Sequence, residues 1–214
     1  MDWAHLSEGE IQRRLQQATA YPPDDPYPQE ILPPSARPAA VLVPLVRHPQ
    51  GWHLLFIHRA ENPQDPHSGQ VAFPGGRAEA GDGSPEETAL REAQEELGLA
   101  PQRVRLLGRM PPQRTISNFW VTPVVGALQW PLPLRPAQEE VVRAFVVPLS
   151  WLADPAHYEV RLRPLPAPHL PLPVVYYRPY QGEVIWGATA RMVIRLIRIL
   201  QGEGQRPVFA GGKA

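Results

Sequence analysis

The segment from Gly75 to Leu99 leaves the folding chain least freedom. It opens with a glycine pair, passes through Gly81-Asp82-Gly83, and runs into one short helix whose limits are written in its own residues. Ser84 is a good N-cap, Pro85 suits the first helical position, and Glu87 stands three residues after Ser84, completing a capping box. No Gly or Pro interrupts Thr88 to Leu97, and Gly98 falls where a left-handed residue closes a helix. Ala89, Leu90, Ala93 and Leu97 form an apolar stripe, so one side packs inward. Glu92, Glu95 and Glu96, at i, i+3 and i+4, project together from a neighbouring face.

As pure structure that cluster is unfavourable. Like charges at i and i+4 repel by about 0.2–0.5 kcal/mol. The helix dipole also disfavours anions in the last turn. Arg91 can offset part of this through an i, i+4 pair with Glu95. A solvated acidic face is one account of the three carboxylates. A bound cation is the other, and the glycine loop ahead of the helix favours it. Mg²⁺ takes oxygen ligands and usually combines carboxylates with substrate phosphates, so the expected chemistry is on phosphate.

These residues resemble the signature of the Nudix hydrolases, G-x5-E-x7-R-E-U-x-E-E-x-G-U, where U is a bulky apolar residue. Gly76, Arg91, Glu92, Glu95, Glu96, Gly98 and Leu99 match it. Asp82 stands where the family has Glu, one residue further from Arg91, and Ala93 replaces a bulky residue. Upstream, Leu54-Leu55-Phe56-Ile57-His58-Arg59-Ala60 and His67 to Gly76 resemble the extra motif of the coenzyme A pyrophosphatase subfamily, L-L-T-x2-R-[SA]-x3-R-x3-G-x3-F-P-G-G. Leu54, Leu55, Arg59, Ala60, Gly69 and the block Phe73 to Gly76 fit. Phe56 replaces Thr, and Gln64 or Asp65 stands near the place of the second Arg. Val121 to Gly126, Glu140-Val141, Val147 to Leu149 and Ile185 to Ala190 are also similar to segments of that subfamily.

The resemblance implies metal-dependent hydrolysis of a pyrophosphate bond, with Mg²⁺ or Mn²⁺ as cofactor. It implies Glu92 and Glu96 as metal ligands, with Glu95 joining them or serving a second ion. The carbonyl of Gly75 or Gly76 is a further ligand, since glycine lets the backbone approach closely. Arg91 orients the carboxylates by charge-assisted hydrogen bonds. The general base comes from the helix or a later loop, where Glu140, beside Glu139, is the candidate; an exposed turn before a strand accounts for that pair equally well. Arg59 is the expected phosphate contact, followed by Arg77 and Arg114, with Gly75 and Gly76 lining the substrate. His58 and His67 flank the motif without a defined role. Ser68, Thr115 and Ser117 have no base-and-orienter partners in the sequence, so a serine hydrolase has little support. The substrate implied is coenzyme A, cut to adenosine 3′,5′-bisphosphate and 4′-phosphopantetheine. ADP-ribose or another nucleoside diphosphate derivative is the first alternative, and a nucleotide-binding module without turnover the second.

Composition narrows the partners. The 214 residues carry 21 basic and 21 acidic side chains, so no net charge points to nucleic acid. There is no cysteine, which excludes disulfides, thiolate catalysis and cysteine-held zinc. No apolar run approaches the roughly 20 residues that span a bilayer, and the first residues do not read as a secretory signal, so a cytoplasmic protein is expected. The 29 prolines crowd Tyr21 to Pro38, Pro131 to Pro136 and Pro164 to Pro173, where connectors are expected.

The remaining pattern is α/β. A first helix is predicted over 5–18 and a last one over 187–200, with Met192, Val193, Leu196, Ile197 and Leu200 opposite a surface face of Arg191, Arg195 and Arg198. Trp186 is expected in the core. Strands are predicted over 39–47, 53–57, 71–73, 104–109, 121–128 and 142–147, and more weakly over 158–161 and 174–177. The resemblance implies a Nudix-type α/β/α sandwich around a mixed sheet. The expected organisation is a helix and proline-rich lead-in over 1–38, a hydrolase domain over 39–202 and a loose tail over 203–214.

Overall fold

The apolar run from Ala39 to Val46 lies at the centre of the sheet, where a strand is flanked on both sides and covered on both faces. The computed structural model describes residues 2–27, 30–62, 68–164 and 171–204. Helix α1 (Glu8–Ala18) precedes β1 (Arg37–His48), β2 (Gly51–Arg59), β3 (Val71–Ala72) and β4 (Gly75–Arg77). Helix α2 (Pro85–Leu97) leads to β5 (Arg105–Arg109), β6 (Gln113–Arg114), β7 (Phe119–Gln129) and β8 (Val141–Pro148). The short α3 (Leu149–Leu152), the strands β9 (Tyr158–Arg163) and β10 (Leu172–Tyr177), and α4 (Gly187–Gln201) follow. The Gln64–Asp65 position, His67 and most of the expected tail lie outside the described residues.

The main sheet runs β3-β2-β1-β7-β5, with β4 on β1, β6 on β7 and β8 on β2. β1 and β7 are parallel from Arg37↔Phe119 to Arg47↔Gln129, and the other pairings are antiparallel, so the sheet is mixed. On one face α2 buries Ala89, Ala93 and Leu97 against Leu42, Leu55, Ile57 and Val124. On the other, α1 and α4 place Ile11, Leu15, Val193 and Leu196 against Val43, Leu45, Leu54, Phe56 and Val125. The layers are helix, sheet, helix, as expected. β4, β6 and α3 were not predicted; they are two to four residues long, too short to carry a period.

Three expectations are corrected. Arg191 and Arg195 do not form a solvated face on α4; both are buried. Asp24 of the proline-rich lead-in reaches them, with Oδ2 3.0 Å from Arg191 Nε and Oδ1 3.9 Å from Arg195 Nη1. Burial of a guanidinium is tolerable when paired, and the lead-in provides the pair. Trp186 is half-buried, not in the core. It stacks on Tyr176 of the separate β9–β10 ribbon, centroids 5.4 Å apart. Arg114, expected as an available substrate contact, is instead buried on β6, where it donates to Pro33 O and to Asn118 Oδ1 at 3.0 Å and pairs with Asp25 at 3.4 Å.

Candidate active site

Helix α2 begins as its residues require. Ser84 Oγ accepts from Glu87 N at 3.2 Å, while Glu87 returns to Gly83 N at 2.9 Å, one residue earlier than in a standard capping box. Gly98 closes the helix at φ 62°. Asp82 accepts from Thr88 Oγ1 and Glu79 N, both at 2.9 Å, and from Arg91 Nη2 at 3.1 Å. The Arg91 hydrogen bonds hold the Asp82 carboxyl down at about 2. Asp82 thus ties the loop to the helix.

The loop reaches the helix through Phe73-Pro74-Gly75-Gly76. Phe73 stacks on Phe56 beneath the sheet, centroids 4.8 Å apart, and Pro74 O accepts from Leu42 N at 2.8 Å. This lays Gly75 and Gly76 across β1. Gly75 has φ +156°, and a Cβ there would lie 2.5 Å from Ala40 O and from Val41 Cα. A Cβ on Gly76 would lie 2.4 Å from Glu92 Oε1. The two glycines therefore do different things: one admits the backbone of β1, the other admits a carboxylate of α2.

Glu96 is the centre of the site. It is 1% exposed, and accepts from Gly75 N at 2.9 Å and from Arg59 Nη1 at 3.1 Å. Burial pushes its carboxyl up to about 7; Arg59 and Gly75 pull the other way, and Glu92 and Glu140 add repulsion. Burial also raises Glu92, which Arg91 partly offsets from 3.0 Å. Glu95 lies on the rim, more than half exposed, and accepts from Arg91 Nη1 at 2.9 Å. Arg91 also donates to Arg77 O at 2.9 Å, so one guanidinium holds Asp82, Glu92, Glu95 and the loop backbone together.

Glu140 reaches the same place from the turn before β8. Ala137 N donates to Glu96 O at 2.9 Å and Ala60 N to Glu140 O at 2.8 Å, so the turn is pinned to α2 and to the residue after Arg59. The charge of Glu140 bears on both Glu92 and Glu96. The flanking candidates serve elsewhere. His58 pairs with Glu183 at 3.0 Å on the opposite face, and Thr115 and Ser117 hydrogen-bond each other at 3.0 Å in the β6–β7 turn. Ser68 Oγ accepts from Asn62 N at 2.7 Å.

Among the described residues no three His, Asp or Glu side chains already close around a metal position. The donor set nonetheless fits a divalent cation. Glu92 and Glu96 are desolvated carboxylates one helical turn apart, and both are raised because the cations beside them do not fully compensate burial. Hard carboxylate and backbone oxygens at a glycine loop suit Mg²⁺ or Mn²⁺.

The NUDIX domain family profile matches residues 36–167. A Nudix hydrolase of Pectobacterium atrosepticum, NudL, described as uncharacterised, is 42% identical over 172 residues, covering 77% of this chain and 86% of its own. The NudL of Salmonella paratyphi B is 39% identical over 168 residues, covering 75% and 81%. The crystal structure of DR0079 from Deinococcus radiodurans is similar with a TM-score of 0.47 at 18% identity, over 77% of this chain and 87% of that one. The chain belongs to the Nudix hydrolase family. Among the described residues no helix is long and apolar enough to cross a membrane.

The raised Glu96 carboxyl has a measurable consequence. Between its ordinary value of 4.5 and about 7, the folded chain keeps a proton that the unfolded chain has lost. Stability therefore falls as pH rises through that window. In chelator, Glu96→Gln should melt with the wild type near pH 5 and about 5 °C above it at pH 8. Saturating Mn²⁺ should narrow the gap at pH 8. Thermal melts across pH check this; parallel profiles for the two proteins would contradict the burial argument.

Proposed function

We propose that this Nudix hydrolase cleaves the pyrophosphate bond of coenzyme A. The observation that carries the reading is the convergence of the upstream motif on Glu96. Arg59 donates to one oxygen of Glu96 and Gly75 N to the other. The residues that resemble the coenzyme A subfamily motif thus build the site itself.

In this reading Glu92 and Glu96 hold a divalent cation, with Glu95 and the carbonyl of Gly75 or Gly76 available to it. Such an ion, when bound, supplies charge neutralisation of the diphosphate and a more acidic attacking water. The protein's own residues do the rest. Arg91 locks the helix carboxylates and the loop in one geometry, which saves reorganisation during the reaction. Arg59 keeps Glu96 oriented and presents a positive charge to the phosphates. Glu140, whose charge bears on both helix carboxylates, takes the proton of the attacking water. Arg77, at the end of β4, contacts the substrate beyond the diphosphate.

Chromatography of products tests it. Purified protein with coenzyme A and Mg²⁺ or Mn²⁺ should release adenosine 3′,5′-bisphosphate and 4′-phosphopantetheine, and chelator should stop the reaction. AMP from ADP-ribose with coenzyme A untouched would move the substrate to another nucleoside diphosphate derivative. Tight binding of both without any product would favour the binding-module alternative.

A further inference from the structure

Successive residues of a strand point to opposite faces, so Gly76 meets Glu92 while the next residue, Arg77, turns to the other side of the sheet. On that side Arg37, at the first position of β1, shares a neighbour with it. The Arg37 and Arg77 guanidiniums both lie over the ring of Phe119, 4.1 and 5.5 Å from its centroid. The registers Ala39↔Arg77 and Arg37↔Phe119 bring the three residues together. Arg37 and Arg77 are exposed, and among the described residues neither has a carboxylate partner; Arg37 makes one 3.4 Å hydrogen bond to Ser117 O.

Stacking on an aromatic ring holds a guanidinium plane while its N–H edges stay available. Two positive charges gathered on one ring repel unless an anion joins them. Their forked donors match phosphate oxygens. The group also lies at a set distance from the carboxylates, because Arg77 O accepts from Arg91.

We propose that Arg37 and Arg77, mounted on Phe119, form a subsite for a phosphate monoester on the nucleotide substrate, which in coenzyme A is the 3′-phosphate. This rests on the coenzyme A reading and deepens it. ADP-ribose carries no such group, so the subsite would set substrate choice within the same chemistry.

Steady-state kinetics of the full chain with coenzyme A and with 3′-dephospho-coenzyme A, each with Mg²⁺, tests it. The wild type should prefer coenzyme A in kcat/KM by about tenfold or more. The Arg37→Gln, Arg77→Gln double variant should lose that preference through a raised KM for coenzyme A. Arg37→Lys, which keeps the charge without the fork, should keep part of it. Inhibition by adenosine 3′,5′-bisphosphate should weaken in the double variant more than inhibition by AMP. If the wild type cleaves both substrates equally well, or the double variant keeps the wild-type ratio, the subsite is overturned while the coenzyme A reading stands. If the wild type cleaves neither substrate, the coenzyme A reading fails and the subsite falls with it.

Discussion

Glu96→Gln should lower kcat for metal-dependent pyrophosphate hydrolysis by about a thousandfold or more, with the fold intact. Glu96 faces Glu92 from the next helical turn, oriented by Arg59 and Gly75 N. An amide cannot neutralise a divalent cation, and one of its two ends donates where the carboxylate accepted. The fold survives because the substitution removes a buried charge that burial already disfavours. Glu95→Gln should cost far less, on the order of tenfold, because Glu95 is on the rim and bonded to Arg91. Single-turnover assays beside circular dichroism and thermal melts separate these outcomes. Normal activity in Glu96→Gln would overturn the assignment of the site.

The second large effect separates the adjacent glycines. Gly75→Ala should destabilise the protein by about 3–5 kcal/mol, and so lower Tm by about 10 °C. Its Cβ would strike Ala40 O and Val41 Cα at 2.5 Å, and both belong to the central strand. The φ of +156° is also one that a side chain rarely adopts. Gly76→Ala should behave differently. The three atoms nearest its Cβ all belong to the carboxylate of Glu92, at 2.4–2.6 Å, and that flexible end can swing away. We expect Gly76→Ala to keep Tm within a few degrees and to lose metal-dependent activity about a hundredfold. Calorimetry and the product assay, run on both variants, check the split. Equal loss of stability in the two would remove the distinction.

The helix that carries the site was legible to the residue. Pro85 to Leu97 is bounded by Ser84 and Gly98, whose preferences are local and need no partner. The long strands were legible because apolar runs between turn residues have few other uses; β1, β2, β7 and β8 extend one or two residues beyond the predicted ends. The burial of Arg191 and Arg195 was not legible. Their spacing on α4 is that of a solvated face, and the residue that changes this, Asp24, lies more than 160 positions earlier. The departure of Asp82 from the family pattern was visible, but its compensation was not, because the bonds to Arg91, Thr88 and Glu79 depend on how the loop folds back. Arg37 gave no sequence signal: a single arginine at the end of a proline-rich lead-in has no pattern to stand out from.

By itself the sequence determined the helix, its caps, the identity of the carboxylates and the family to which they belong, since each depends on residues a few positions apart. Tertiary structure alone decided that Glu96 is buried, that the charge of Glu140 bears on it, and that Arg37 and Arg77 share one ring. Those relations join β1, β4, α2, β7 and the turn before β8, and distance in space between such segments is set by the register of the sheet, not by their separation along the chain.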